Sequence, residues 1–177
     1  EITLQQLAQK AAEQGDNLTV ELSHTSDRAS LTFAFLGAEV EVDTETGRVK
    51  VLRCVEAIDI GTAINPRICR GQATGGLAMG IGYAIAEELR FDSQGKILNP
   101  GLRTYRIPAA TDIPPMEIIL IEKADPYGPF GAKGIGEIGT NCAAPAIANA
   151  VAQATGVRLR QLPMIPERVW QALNESS

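Results

Sequence analysis

The chain of 177 residues is 45% hydrophobic and 21% charged, a balance typical of a folded globular domain and not of a disordered or fibrous chain. Its 16 basic and 21 acidic residues give a net charge of −5 without a run of like charge, which excludes the basic surface that nucleic-acid binders need. Three cysteines without CxxC spacing and one histidine are too few for a zinc site or an iron–sulfur cluster built by this chain alone.

The first third of the chain carries the signals of one helix and several strands. Residues 3–13 place apolar side chains on one stripe, Thr3 and Gln6 match a capping box, and Gly15 suits the helix end. From Leu18 the apolar period changes to two, which predicts strands around residues 18–22, 31–35 and 40–42. The turn residues 43–48 and the alternation after Val49 predict a hairpin.

A glycine-rich helix is predicted next. Asn65 and Pro66 suit a helix start, and the helix is expected to extend to about Leu89. Residues 71–82 contain five glycines, and each costs about 1 kcal/mol relative to alanine within a helix. Close packing against the backbone would offset this cost; otherwise the segment is not helical throughout. The uncharged stretch 73–86 has 14 residues, too few for a membrane span of about 20.

The second half of the chain predicts shorter elements. A second hairpin is expected over residues 87–98, a buried strand at 117–121, helices at 143–155 and 167–173, and a short strand at 157–160. Residues 124–140, which we call the glycine-rich segment, contain five glycines and two prolines. Loops of that length in compact domains are usually functional.

Three interpretations compete for the glycine-rich segment. A phosphate-binding loop is rejected, because Lys133 is followed by glycine and not by Ser or Thr. Residues 134–139 match GxGxxG, but neither a preceding strand nor the expected later acidic residue supports a nicotinamide site. In the third, the glycines let the loop approach a large cofactor and Glu137 points at the reacting centre. The residues by themselves also allow an ordinary surface loop with a solvated glutamate.

Four segments together resemble the carboxyl-terminal part of the molybdopterin-binding (large) subunit of the xanthine dehydrogenase and aldehyde oxidase family. They are FGAKGIGE at 130–137, GQATGG at 71–76 continuing to GIGY at 80–83, INP at 64–66 and YRIP at 105–108. The resemblance extends over residues 18–173, with the motifs in the family's order and spacing. Four motifs in that arrangement are far more specific than any one of them.

The resemblance implies roles for six residues. Glu137 matches the glutamate that acts as general base, and the backbone amides of Ile135 and Gly136, with Gly134 beside them, face the molybdenum site. Lys133 matches a family lysine and is assigned to cofactor binding, although pairing with an acidic residue explains it equally well. Met79 stands near the cofactor where many members have glutamine, so its contact there is one of packing. No residue of this chain is expected to ligate the metal.

The resemblance also implies a fold and a domain organisation. We expect an α+β domain of the molybdenum cofactor-binding type, a mixed sheet of five or six strands with helices mainly on one face. Residues 1–177 form a single domain, the carboxyl-terminal portion of a molybdopterin-binding subunit, with an amino-terminal helix at 1–16 and a core at 17–177. The glycine helix is expected to pack closely beside the pterin, and Gln72 to make a hydrogen bond from that helix.

The implied activity belongs to a larger assembly. It is hydroxylation of an N-heterocycle or aldehyde with water as the oxygen source, using molybdopterin, either plain or in its cytosine dinucleotide form. The expected partners are the remainder of the subunit, iron–sulfur clusters and FAD on other domains or subunits, the small-molecule substrate and further copies in a homo-oligomer. Neither a nucleic acid nor a membrane is expected. The isolated chain should be inactive and should self-associate.

The sequence also leaves two other function classes open and indicates a cellular compartment. The alternatives are a non-catalytic nucleotide-binding module, which would use the glycine-rich segment for a pyrophosphate, and a subunit-assembly domain, which would use the glycine helix for packing. The odd number and wide spacing of the cysteines favour a reducing compartment over a disulfide framework. With no basic-then-apolar leader at the amino end, we expect a cytoplasmic protein.

Overall fold

Helices and strands form largely where the local sequence signals place them. The computed structural model describes residues 2–25 and 28–175. In chain order the elements are α1 (Leu4–Gln14), β1 (Phe33–Val42), β2 (Val49–Asp59), α2 (Pro66–Ile85), β3 (Met116–Ile121), α3 (Ile138–Asn141), α4 (Ala143–Thr155) and α5 (Pro166–Glu175). A 3₁₀ turn, Pro129–Gly131, precedes α3.

Capping interactions fix the ends of the helices. The Thr3 hydroxyl and the Gln6 side chain form the predicted capping box at α1, and Gly15 ends that helix in the left-handed conformation. The Asn65 side chain accepts a hydrogen bond of 3.1 Å from the amide of Ile68 at the start of α2. α2 ends at Ile85, before the predicted end at Leu89.

The three strands form one mixed sheet in the order β1-β2-β3. β1 pairs antiparallel with β2 through the predicted hairpin, and β2 pairs parallel with β3. This confirms the α+β class and the mixed sheet. The expectation of five or six strands is wrong, since the sheet formed within residues 2–25 and 28–175 has three. Residues 18–22 and 157–160 form no regular element, and the second hairpin is reduced to one bridge between Phe91 and Ile97. A strand needs a neighbour for its backbone, and these alternating segments have none within the sheet.

Helices cover one face of the sheet and create the core there. The covered face of β1, β2 and β3 presents Leu36, Ile58 and Ile118, which pack with side chains from the helices. The helical contributions to this core include Leu77 and Ile81 from α2 and Ile147 and Val151 from α4. The opposite face of the sheet, which carries Phe33 and Phe35, is exposed. The fold is therefore a two-layer arrangement with one open sheet face.

Close helix packing explains part of the glycine content of α2. A β-carbon at Gly80 would lie 2.4 Å from the Ala143 β-carbon, and one at Gly76 would lie 3.2 Å from the backbone of Gly139. The expectation that something packs closely against this backbone is confirmed, but at these two positions the neighbours are α3 and α4. Protein neighbours therefore explain the glycines at these two positions, and the expectation that the helix packs beside the pterin stays a prediction for its exposed side.

Candidate functional site

The glycine-rich segment is tied to the end of the sheet where β2 ends. The Lys133 amide donates to the Ile60 carbonyl at 2.9 Å, and the Thr62 amide donates to the Gly131 carbonyl at 2.7 Å. Gly61 forms an isolated bridge with Ala132. A β-carbon at Gly61, whose φ is +65°, would lie 2.3 Å from the Gly131 carbonyl oxygen. Only glycine allows this close crossing of two chain segments.

Lys133 forms a shielded ion pair with Asp59. Its ammonium nitrogen lies 2.7 Å from the Asp59 Oδ2, and the two side chains are 11% and 23% exposed. The hydrogen bond from Lys133 holds the pKa of Asp59 below its usual value. The ammonium also lies 5.8 Å from the centre of the Phe33 ring. The structure thus contains the ion pair with an acidic residue that was the alternative explanation of Lys133.

Two side chains hold the backbone of residues 134–136. The Thr32 hydroxyl donates to the Gly134 carbonyl at 2.8 Å, and the Gln72 Nε2 donates to the Gly136 carbonyl at 2.6 Å. The expected hydrogen bond from Gln72 is thus present, with a loop carbonyl as its acceptor. Thr32 was not a sequence candidate, since it lies about a hundred residues away and no local pattern connects it to the loop.

The amides of this loop are available to a ligand. No group in residues 2–25 and 28–175 accepts a hydrogen bond from the backbone N–H of Ile135 or Gly136. A β-carbon at Gly134 or Gly136 would have no neighbour within 4 Å. The loop therefore presents backbone donors and no side chains at these glycines, as binding of an oxygen-rich group requires.

Glu137 follows these amides directly and is exposed at the start of α3. Within the described part of the chain its carboxylate has no hydrogen-bond or ion-pair partner, so both oxygens can accept a proton or a hydrogen bond. α3 packs on α2 through Gly139, where a β-carbon would lie 2.9 Å from the Ala73 carbonyl oxygen. The position of Glu137 is therefore fixed by its backbone.

The exposed side of α2 borders the same loop. Met79 is 57% exposed and lies two turns beyond Gln72 on one side of the helix. A β-carbon at Gly71 or Gly75 would meet nothing within 4 Å. We call this exposed side, with residues 134–137, the site surface. Five predicted residues, Gly134, Ile135, Gly136, Glu137 and Met79, belong to it, whereas the Lys133 side chain is engaged beneath it.

Two features lie away from the site surface. A cleft of about 770 Å³ opens where β2 begins, with Arg48, Lys50 and Arg106 among its lining residues, and no predicted site residue lines it. Glu56 lies on the covered face of β2, fully buried, and neither carboxylate oxygen has a partner in the described chain. Burial raises the pKa of Glu56 to about 7. Burial, together with this carboxylate, raises the pKa of Cys54 to about 11.

The donor set of the site surface fits an oxygen-rich cofactor. Its amides can donate to oxygen ligands and its glycines leave space for a large group. Residues 2–25 and 28–175 contain no cluster of three His, Cys, Asp or Glu side chains arranged for a metal ion. In that part of the chain no helix has the length and apolar character of a membrane span. The GxGxxG match lacks a preceding strand and opens into the four-residue helix α3, so the structure gives it no dinucleotide-binding context.

Comparison with known proteins gives a consistent family. A family model described as "Molybdopterin cofactor-binding domain" matches residues 1–114. Among curated proteins, the chain is 41% identical over 139 residues to Escherichia coli "Probable hypoxanthine oxidase XdhD", covering 78% of this chain and 14% of that protein. It is 39% identical over 144 residues to the E. coli "Aldehyde oxidoreductase molybdenum-binding subunit PaoC", covering 80% of this chain and 20% of that protein. The chain thus spans a seventh to a fifth of the length of these relatives.

Solved structures agree. The aldehyde oxidoreductase from Desulfovibrio gigas superposes with a TM-score of 0.74 at 36% identity, covering 81% of this chain and 15% of that one. The matched part of the chain therefore shares both sequence and backbone arrangement with this aldehyde oxidoreductase.

Proposed function

Because this chain belongs to the molybdopterin cofactor-binding domain family of xanthine dehydrogenase and aldehyde oxidase type, we propose that it supplies the general base and one wall of the cofactor pocket of a molybdenum hydroxylase. Glu137 is the base. The substrate is an N-heterocycle or an aldehyde, and water is the oxygen source. The observation that carries the proposal is the position of an exposed carboxylate, unpaired within residues 2–25 and 28–175, directly beside two backbone amides that have no acceptor there.

When bound, the molybdenum cofactor supplies the two-electron oxidation of the substrate carbon. The carboxylate of Glu137 accepts the proton that water-derived oxygen must lose before it can attack that carbon. A positioned base of this kind contributes about 10²- to 10⁴-fold to a rate. The backbone amides of Ile135 and Gly136 would donate hydrogen bonds to the bound cofactor and would hold it beside Glu137.

Side chains beneath the loop keep these donors in place. The Lys133–Asp59 pair, the Thr32 hydroxyl and the Gln72 amide each fix a different point of residues 133–136. Fixed donors stabilise developing charge better than mobile ones, since they need no reorganisation during the reaction. Met79, Gly71 and Gly75 on the exposed side of α2 form the wall on which the pterin would pack.

The remaining parts of the enzyme lie outside this chain. The matched part of this chain covers only 14% and 20% of these relatives, so the opposite wall of the pocket and the substrate-binding residues belong to the remainder of a molybdopterin-binding subunit. Iron–sulfur clusters and FAD on partner domains or subunits carry the electrons away, and the assembly works in the cytoplasm as a homo-oligomer. The cofactor is plain molybdopterin or its cytosine dinucleotide form.

The decisive experiment is Glu137→Gln in the complete assembly. We expect turnover to fall by about 10²- to 10⁴-fold while the molybdenum content stays normal, because glutamine keeps the size of the side chain and cannot accept the proton. Glu45→Gln, an exposed glutamate in the turn between β1 and β2, is the matched control and should keep full activity.

Two results would contradict the assignment. Turnover near that of the wild type at normal molybdenum content would remove Glu137 from the reaction. Loss of molybdenum from the variant would assign Glu137 to cofactor retention instead of proton transfer.

A further inference from the structure

The open face of the sheet is divided into an apolar half and a polar half. Near the glycine-rich segment its apolar side chains are Phe33 and Phe35 of β1, Ala57 of β2, and Ile119 and Ile121 of β3, which we call the apolar half-face. Toward the other end it carries Glu39, Glu41, Arg53 and Glu117, with Arg53 and Glu117 paired at 2.8 Å.

The apolar half-face exposes more apolar side-chain surface than is usual for a sheet face in contact with water. Phe33 and Phe35 are 62% and 74% exposed, and Ile119 and Ile121 are 43% and 49% exposed. The register places Phe35, Ala57 and Ile119 in one row across the three strands, so these side chains form a continuous surface. A sheet face in contact with water normally carries polar residues, as the polar half does, and a contiguous apolar patch marks an interaction site.

The apolar half-face is continuous with the site surface. The Lys133 ammonium lies against the Phe33 ring and pairs with Asp59, which stands between Phe33 and Ile121 in the sheet register. Thr32, next to Phe33, donates to the Gly134 carbonyl. Any polypeptide that covers Phe33 therefore also reaches the backbone three residues before Glu137.

We propose that the apolar half-face is the docking surface for the remainder of the molybdopterin-binding subunit. This inference rests on the proposed function. The occupant follows from chain length, since the chain spans 14% to 20% of the two curated relatives and the missing four fifths must contact it somewhere. Docking here brings that polypeptide to the glycine-rich segment, where the opposite wall of the pocket is needed. The polar half marks the limit of the contact.

Hydroxyl-radical footprinting of the assembled enzyme, purified through a tag on this chain, tests the proposal without turnover. We expect the oxidation rates of Phe33 and Phe35 to fall at least about fivefold relative to the isolated chain, since covered side chains are shielded from the solvent radical. Equal rates in both samples would overturn the proposal. Protection of the isolated chain that disappears on dilution would assign the surface to a second copy and would also overturn it.

A pair of variants tests the footprint independently. Phe35→Glu should abolish co-purification of the molybdopterin-binding polypeptide, identified by its mass and molybdenum content, whereas Glu41→Gln on the same face should retain it. Phe35 is mostly exposed, so the thermal unfolding midpoint of the variant should match that of the wild type and exclude misfolding. Retention of the partner by Phe35→Glu would overturn the proposal. Protected phenylalanines in an enzyme insensitive to Glu137→Gln would reject the base and keep the docking surface.

Discussion

The two sides of α2 carry the same residue type for different reasons. On the side that faces α3 and α4, Gly76 and Gly80 leave room for neighbouring backbone and for Ala143. On the exposed side, a β-carbon at Gly71 or Gly75 would have no neighbouring atom within 4 Å. Glycine is costly in a helix, so the packed side has its compensation inside this chain, and the exposed side points to a compensation outside it. Glu56 and Glu137 differ in the same way, because Glu56 is buried inside this chain whereas Glu137 is exposed.

The largest effect is expected for Glu56→Gln. The pKa of Glu56 is raised from 4.5 in the unfolded chain to about 7 in the folded one, so folding favours its protonated form. Its contribution to stability is complete below about pH 4.5 and is lost as the pH rises to about 7, a difference of at most about 3 kcal/mol. Glutamine stays neutral, so the variant should lack this pH dependence.

Urea denaturation of the wild type and the variant at pH 5 and pH 8 measures this. We expect the free energy of unfolding of the variant, measured relative to that of the wild type, to be higher at pH 8 than at pH 5. A difference between the two proteins that does not change with pH would show that Glu56 is ionised in the folded state, and would place the carboxylate in a wetter environment than the structure gives it.

A smaller loss is expected for Gly80→Ala on the packed side of α2. The new methyl group would meet the Ala143 β-carbon at 2.4 Å and the Thr140 carbonyl oxygen at 3.0 Å, so helices α2 and α4 must separate. Overpacking of this kind costs about 2 kcal/mol after the gain in helix propensity is subtracted. Thermal and urea unfolding of the variant give the value, and an unchanged midpoint would contradict the close packing.

The smallest effect, with the opposite sign, is expected for Gly75→Ala on the exposed side. Nothing obstructs the added methyl group, so the isolated chain should gain about 1 kcal/mol of stability from helix propensity. The same substitution at two positions of one helix thus gives opposite signs. Destabilisation of the isolated chain by Gly75→Ala would remove the distinction between the two sides of α2.

Much of the candidate site was predictable because its signal is local or carried by motifs. The glycine-rich segment, the carboxylate of Glu137 within it and the helix that starts at Asn65 all stand out in the sequence. The groups that hold the loop did not stand out, since Thr32 and Asp59 approach it only through the pairing of β1 with β2. For Lys133 the sequence left two explanations open, and the distance to Asp59 supports ion pairing.

The sequence by itself determined the positions at which α1, α2 and α4 begin or end and the hairpin between β1 and β2, because caps and turns act over a few residues. Only the tertiary structure decided which side chains face inward. The register of β1 and β2 shifts between Glu39 and Val40 and leaves Leu52 without a partner. Before this shift the buried residues of β2 are Val49 and Val51, and after it they include Cys54 and Glu56. An alternating pattern gives the period of a strand, whereas its phase and its neighbours depend on residues distant in the chain.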